Sequence, residues 1–211
     1  MKNYLLLFAL LAATTALRAQ GIGLGLRAGA TFANISVDDD DFDSDNITGL
    51  SVGVLVPILL SDNFAIQPEL SLVQKGYSAS DETFGIDLDV RYNYIEVPVL
   101  FQGLFGTDDL KFYVQAGPAY GYAAGGTIKS DIAGVESEVD IDFEEPGNED
   151  FNRGDLSGIA GAGVRFGFDN LKLLIDGRYG FSLSDSDGTD VTVYRNRGLT
   201  LSAGLLFTIG N

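Results

Sequence analysis

Several stretches of this chain alternate large apolar side chains with polar or very small ones over ten or more residues. In one, Leu199, Leu201, Ala203, Leu205, Phe207 and Ile209 are interleaved with Gly198, Thr200, Ser202, Gly204, Leu206 and Thr208. A second runs from Leu110 through Phe112, Val114, Ala116, Pro118 and Tyr120 to Tyr122, and a third from Leu171 through Leu173, Ile175, Gly177, Tyr179 and Phe181 to Leu183. A period of two means extended strands with one apolar face. Strands of soluble proteins usually run about five or six residues, whereas a tilted strand needs about nine to eleven to cross a bilayer. The alternation therefore predicts strands of membrane-spanning length.

Eight such segments are expected, at roughly 21–33, 49–60, 64–78, 88–104, 110–123, 155–168, 171–184 and 197–209. Their connections fall into two kinds. Ser61-Asp62-Asn63, Gly106-Thr107-Asp108-Asp109 and Asp169-Asn170 are short enough for hairpin turns. The other four, about 34–48, 79–87, 124–154 and 185–196, are longer and strongly acidic. Short turns on one rim and long loops on the other are the layout of an outer-membrane barrel, with the short side periplasmic. The expected fold is all-β: an eight-stranded antiparallel up-and-down transmembrane β-barrel with long acidic outer loops.

The two strand faces differ as this fold requires. One is almost wholly Leu, Val, Ile, Ala, Phe and Tyr; the other carries Arg27, Glu69, Lys75, Glu96, Lys111, Arg165, Lys172, Asp176 and Arg178 among glycines and serines. A soluble sandwich cannot easily place such charges on its inner face. With the charges pointing inward, the apolar face is left for lipid. Phe32, Phe64, Tyr92, Phe105, Tyr122, Phe168 and Phe181, near strand ends, suit interfacial girdles. The inward glycines Gly23, Gly25, Gly29, Gly161, Gly163 and Gly167 relieve crowding in a narrow interior.

The N-terminus is a targeting segment by composition. Lys2 precedes an apolar run from Tyr4 to Leu17, and Ala19-Gln20 offers a cleavage point, with Ala16 as the alternative. The expected division is a signal peptide over 1–19 and a barrel domain over 20–211. The formal charge is −17, from 30 acidic and 13 basic residues. That balance excludes nucleic-acid binding, which depends on Lys and Arg to release counterions.

The chain resembles the PorT-like, porin-family outer-membrane β-barrel proteins of the Bacteroidota. The resemblance rests on Gln67-Pro68-Glu69-Leu70, Gln74-Lys75-Gly76-Tyr77 and Tyr94-Ile95-Glu96-Val97-Pro98-Val99-Leu100. Tyr113-Val114-Gln115-Ala116-Gly117-Pro118, Gly161-Ala162-Gly163 and Asp176-Gly177-Arg178-Tyr179-Gly180 support it. It implies an eight-stranded barrel in the outer membrane and no defined activity. The chain departs from outer-membrane proteins generally in ending Ile209-Gly210-Asn211, without a terminal aromatic residue.

Without any histidine, a Ser-His-Asp relay cannot be assembled. Glu69 and Glu96, on adjacent predicted strands, are the obvious carboxylate pair for acid–base work of the glycosidase kind. The structural alternative places Arg27, Glu69, Glu96, Asp176 and Arg178 in a lumenal charge network, since an unpaired charge there costs several kcal/mol. The acidic loops are a second feature. Asp38, Asp39, Asp40 and Asp41 form one cluster and Asp185, Asp187 and Asp190 another. Residues 131–155 add ten more acids, ending at Asp155. They are read as a solvated, mutually repelling surface, or as weak divalent-cation sites bridging to anionic lipopolysaccharide.

The function expected is a structural or surface-interaction role in the outer membrane, with a plugged lumen. The alternatives are a narrow passive channel for small ions or solutes and an accessory of a protein secretion apparatus. No catalysis, cofactor or confident metal site is expected, and the barrel is expected to be a monomer whose partners are membrane lipid and lipopolysaccharide.

Overall fold

The computed structural model describes residues 21–37, 45–81, 85–141, 143, 153–168, 170–184 and 194–209. The signal-peptide expectation for 1–19 lies outside them. So do both cation-site expectations, Asp38, Asp39, Asp40 and Asp41 and Asp185, Asp187 and Asp190.

The strands follow chain order: β1 (Gly21–Val37), β2 (Ile47–Leu55), β3 (Ile58–Ser61), β4 (Phe64–Asp81), β5 (Ile86–Gly106), β6 (Leu110–Ile132), β7 (Val135–Ile141), β8 (Gly154–Phe168), β9 (Leu171–Ser182) and β10 (Tyr194–Ile209). All pairings are antiparallel, and β1 pairs β10 from Ile22↔Ile209 to Val37↔Tyr194, which closes the sheet on itself. Both β2 and β3 lie between β1 and β4, so they are two halves of one stave and the ring has eight positions. The break between them falls at Val56-Pro57, because proline brings no N–H to the ladder. Its neighbours compensate: Gly23 N–H donates to the Pro57 carbonyl at 2.8 Å and Val56 N–H to that of Pro68 at 3.0 Å.

Alternation places the apolar face outside. Leu26, Leu72, Leu201, Val114 and Leu205 are each at least half exposed, and closure leaves the barrel wall no unpaired edge, as a bilayer demands. Of the expected girdle, Phe32, Phe64, Phe105, Tyr122 and Phe181 do face outward. Tyr92 does not. It pairs with Lys75 on β4, on the face that continues the lumen wall, and packs on Tyr94 and Phe143.

In the segment expected as one long loop, 124–154, the described residues are mostly strand. β6 continues to Ile132, turns at Ala133-Gly134 (φ 53° and 85°) and returns as β7. Two positive φ values in a two-residue turn match the right-handed twist of a hairpin. The acids here alternate with Ile128, Ile132, Val135, Val139 and Ile141, and so read as loop although the period is that of a strand.

Substituting the outward residue Leu201 by Arg places a charge against lipid at the level of Asp176 and Ser202. Leu201→Arg is expected to destabilise the barrel by about 2–4 kcal/mol, and Leu183→Arg, at the strand end, by about 0–1 kcal/mol. Equilibrium urea unfolding in lipid vesicles measures both.

Candidate functional site in the lumen

The inward residues form layers. Nearest the short turns the lumen is apolar: Leu55, Leu174 and Leu206 make one buried cluster, and Ala65, Leu104 and Tyr113, with Leu59 against them, make another. Gly163 admits the Tyr113 ring, since a Cβ there would sit 2.5 Å from its outer atoms. This apolar floor was not expected from the sequence. Its signal was Leu173-Leu174-Ile175 and Leu205-Leu206-Phe207, where an apolar residue also occupies the inward position.

Above the floor lies an amide–guanidinium layer. Arg165 donates to the side-chain carbonyls of Gln67, at 2.9 Å, and Gln102, while Gln102 donates to Gln115 at 2.9 Å. Its guanidinium also sits 4.9 Å from the centre of the Tyr113 ring, a cation–π arrangement. Gln67 and Gln102 were not among the expected network residues. Both occupy inward positions in line with Glu69 and Glu96.

The central layer joins four of the five expected residues. The Glu69 carboxylate accepts from Arg27 at 3.1 Å and from Arg178 at 2.8 Å, and Gln67 donates to its other oxygen at 2.7 Å. Arg178 also reaches Asp176 at 2.7 Å. Ser202 and Tyr113 donate to Asp176 at 2.6 and 3.0 Å. Arg27 makes longer contacts to Ser202 and Ser71. All four charged residues are buried, and each charge meets at least one opposite charge, the condition under which ions are tolerated away from water.

Glu96 is the exception. Its register partner on β4 is Ser71 rather than Glu69, and its carboxylate accepts from Lys75 at 2.7 Å. Lys75 also meets Asp155 at 3.1 Å, and lies 5.1 Å from the centre of the Tyr94 ring. The expectation that Glu96 joins Glu69 is therefore corrected: the two carboxylates belong to separate ion clusters. The reason is register, because Lys75 lies nearer the outer rim than Glu69 on the same strand. Asp155, counted with the acids of 131–155 although the strand expected over 155–168 begins at it, is a buried lumen residue at the start of β8. Lys111 and Lys172, counted with the lumen charges, instead staple the short turns. Lys111 pairs with Asp108 at 3.3 Å, and Lys172 donates to the Asp108 carbonyl at 2.8 Å.

Between the two ion clusters remains a cavity of about 40 Å³, with Arg27, Ser51, Lys75, Glu96, Ser157 and Ser182 in its wall. The hydroxyls of Ser51, Ser157 and Ser182 have no protein partner among the described residues. A space of that size and polarity suits one or two waters, since each needs at least about 10–15 Å³ and several polar partners. Among the described residues no group of three or more acids is arranged to hold a metal ion.

Residues 17–188 match the family described as Outer membrane protein beta-barrel domain. The chain belongs to this family. It is thus an integral outer-membrane β-barrel protein. No curated protein matches it by sequence. Among solved structures, the outer membrane protein OprG from Pseudomonas aeruginosa aligns with a TM-score of 0.50 at 9% identity, over 92% of this chain and 98% of that one. Neisserial surface protein A aligns with a TM-score of 0.48 at 15% identity, over 87% and 96%. Ail of Yersinia pestis gives 0.44 at 17%, over 89% and 99%. The likeness to OprG is one of fold.

Removing the shared carboxylate leaves two buried guanidiniums with less counter-charge than they need. Glu69→Ala is expected to cost about 3–5 kcal/mol. Lys129→Ala, which breaks the exposed Lys129–Glu138 pair, is expected to cost at most about 1 kcal/mol. Urea titration of the folded protein in vesicles compares the two directly.

Proposed function

We propose that this protein is a structural and surface-interaction barrel whose lumen is filled by side chains, and which holds an acidic sheet outside the membrane. The observation that carries the reading is the pairing of the lumenal charges. Arg27, Arg178 and Lys75 are each engaged by carboxylates of facing strands, so they are committed to one another rather than free to line a water path. Eight strands leave an interior that side chains can fill, and the apolar floor lies below the ion clusters. Catalysis has no place in this reading, because the carboxylates that could do acid–base work are spent on ion pairs. Affiliation with the PorT-like proteins of the Bacteroidota, export through a signal peptide over residues 1–19, a monomeric state and contact with lipopolysaccharide complete it.

The part outside the membrane is defined by a change of polarity. Within the barrel, outward residues of β5 and β6 are apolar, as at Ile95, Val97, Phe101, Phe112 and Val114. Further along the same face come Asp87, Asp89, Arg91, Thr127, Lys129 and Asp131. Charged side chains do not face lipid, so this part of the sheet stands in water. The register slips between Asn93 and Tyr94, where Ala124 is the extra residue on β6. Such a bulge re-aims the strand beyond it, and the polar face begins there.

The chain has no cysteine, so single substitutions report position in cells. Ser137→Cys on β7 is expected to react with a membrane-impermeant maleimide on intact bacteria, and Asp62→Cys in a short turn only after the outer membrane is permeabilised. The opposite pattern would invert the barrel and remove the surface role.

A further inference from the structure

Beyond the lipid boundary the wall becomes an open sheet, and among the described residues β7 is its last strand. β7 pairs with β6 in unbroken register from Ile132↔Val135 to Gly126↔Ile141, and with no other strand among the described residues. Across a two-residue hairpin turn the flanking pair exchanges both backbone bonds, and the bonding alternates from there. The N–H and C=O groups of Val135, Ser137, Val139 and Ile141 therefore point at β6. Those of Glu136, Glu138 and Asp140 point away from it, toward the free edge. Seven residues with no proline, glycine, lysine or bulge form a straight edge of the kind that accepts another strand.

The side chains say what that strand carries. On the polar face lie Asp87, Asp89, Asp131, Glu136, Glu138 and Asp140, against Arg91 and Lys129. Arg91 is taken by Asp89 at 3.3 Å and Lys129 by Glu138 at 3.1 Å. Asp87, Asp131, Glu136 and Asp140 are left without a cation among the described residues. On the other face Val135 and Val139 are 70% and 60% exposed. A second copy of this chain does not fit: antiparallel pairing of two β7 strands sets acid against acid, which opposes association.

We propose that the β7 edge binds an extended segment of a partner protein in which basic and apolar residues alternate, added as a further strand. Its backbone bonds the outward groups of Glu136, Glu138 and Asp140. Its Lys or Arg side chains, two residues apart, lie beside the three acids, while the residues between them cover Val135 and Val139. Main-chain bonds then provide affinity and the alternate side chains specificity. The proposal rests on the surface reading for its biological setting, yet its test uses purified protein, so failure of one leaves the other standing.

The test is fluorescence anisotropy on the full chain folded in nanodiscs of zwitterionic lipid. The probe is a labelled seven-residue peptide alternating lysine and valine, compared with the same residues arranged as a lysine block and a valine block. The alternating peptide is expected to bind about tenfold more tightly. Glu138→Gln removes one charge, whereas Glu138→Pro removes that charge and also an outward N–H that β6 does not use. The proline variant is expected to bind about three- to tenfold more weakly than the glutamine variant, the effect of one lost backbone hydrogen bond. Retained heat-modifiable gel mobility shows that each variant is folded. Equal binding of both peptides, or equal binding by the two variants, would reduce the effect to charge attraction and overturn the proposal. Uptake by protein-free nanodiscs matching that by loaded ones would overturn it as well.

Discussion

Arg178 holds Glu69 on β4 and Asp176 on its own strand, and through Glu69 it is tied to Arg27 on β1. The two contacts to Glu69 cross the lumen, joining staves that are not neighbours in the ring. The outer surface can supply no such link, since lipid contacts are non-directional and equal all round. Only the inward residues can distinguish one closure of the sheet from another. A register slip by one residue would turn these charges toward lipid and the leucines inward. The ion pairs therefore fix which way every strand faces, and the lipid belt follows from that choice.

The interior is graded along its axis. Leucines and Tyr113 occupy the end near the short turns; the Arg165 amide layer, the Glu69 cluster and the Lys75 cluster follow. Beyond these the inward residues become apolar again, at Ile35, Ile47 and Val90, all buried. The ions are thus flanked by apolar side chains on both sides, which strengthens their mutual attraction and raises the cost of leaving any one unpaired. Past the register slip at Asn93 and Tyr94 the same sheet reverses its faces, with Asp87, Asp89 and Asp131 on the outward one and Leu88, Val90 and Tyr92 on the other. One continuous pair of strands, β5 and β6, carries both patterns.

Much of the fold was legible in the sequence because a period of two survives every local irregularity. The eight staves, their antiparallel order and the inward direction of Arg27, Glu69, Asp176 and Arg178 could all be read from alternation. Depth could not. Whether Glu96 meets Glu69 or Lys75 depends on stagger between strands, which no single strand encodes. Asp155 illustrates the related difficulty: it was grouped with the acids that precede it, yet at the start of its strand it turns inward to Lys75. β7 was hidden by its composition, for acids alternating with valine look like a solvated loop when water is assumed on both sides. The apolar floor was visible only as the doubled leucines at Leu173-Leu174 and Leu205-Leu206.

The measurement that bears most directly on the proposed filled lumen is single-channel conductance of the purified, folded protein in a planar bilayer, alongside Glu69→Ala. The wild-type barrel is expected to insert and show no steady conductance, with fluctuating openings appearing only when the Glu69 carboxylate is removed. A steady, ion-selective current through the wild-type protein would contradict this, and would mean that water and ions pass the Arg27–Glu69–Arg178 cluster.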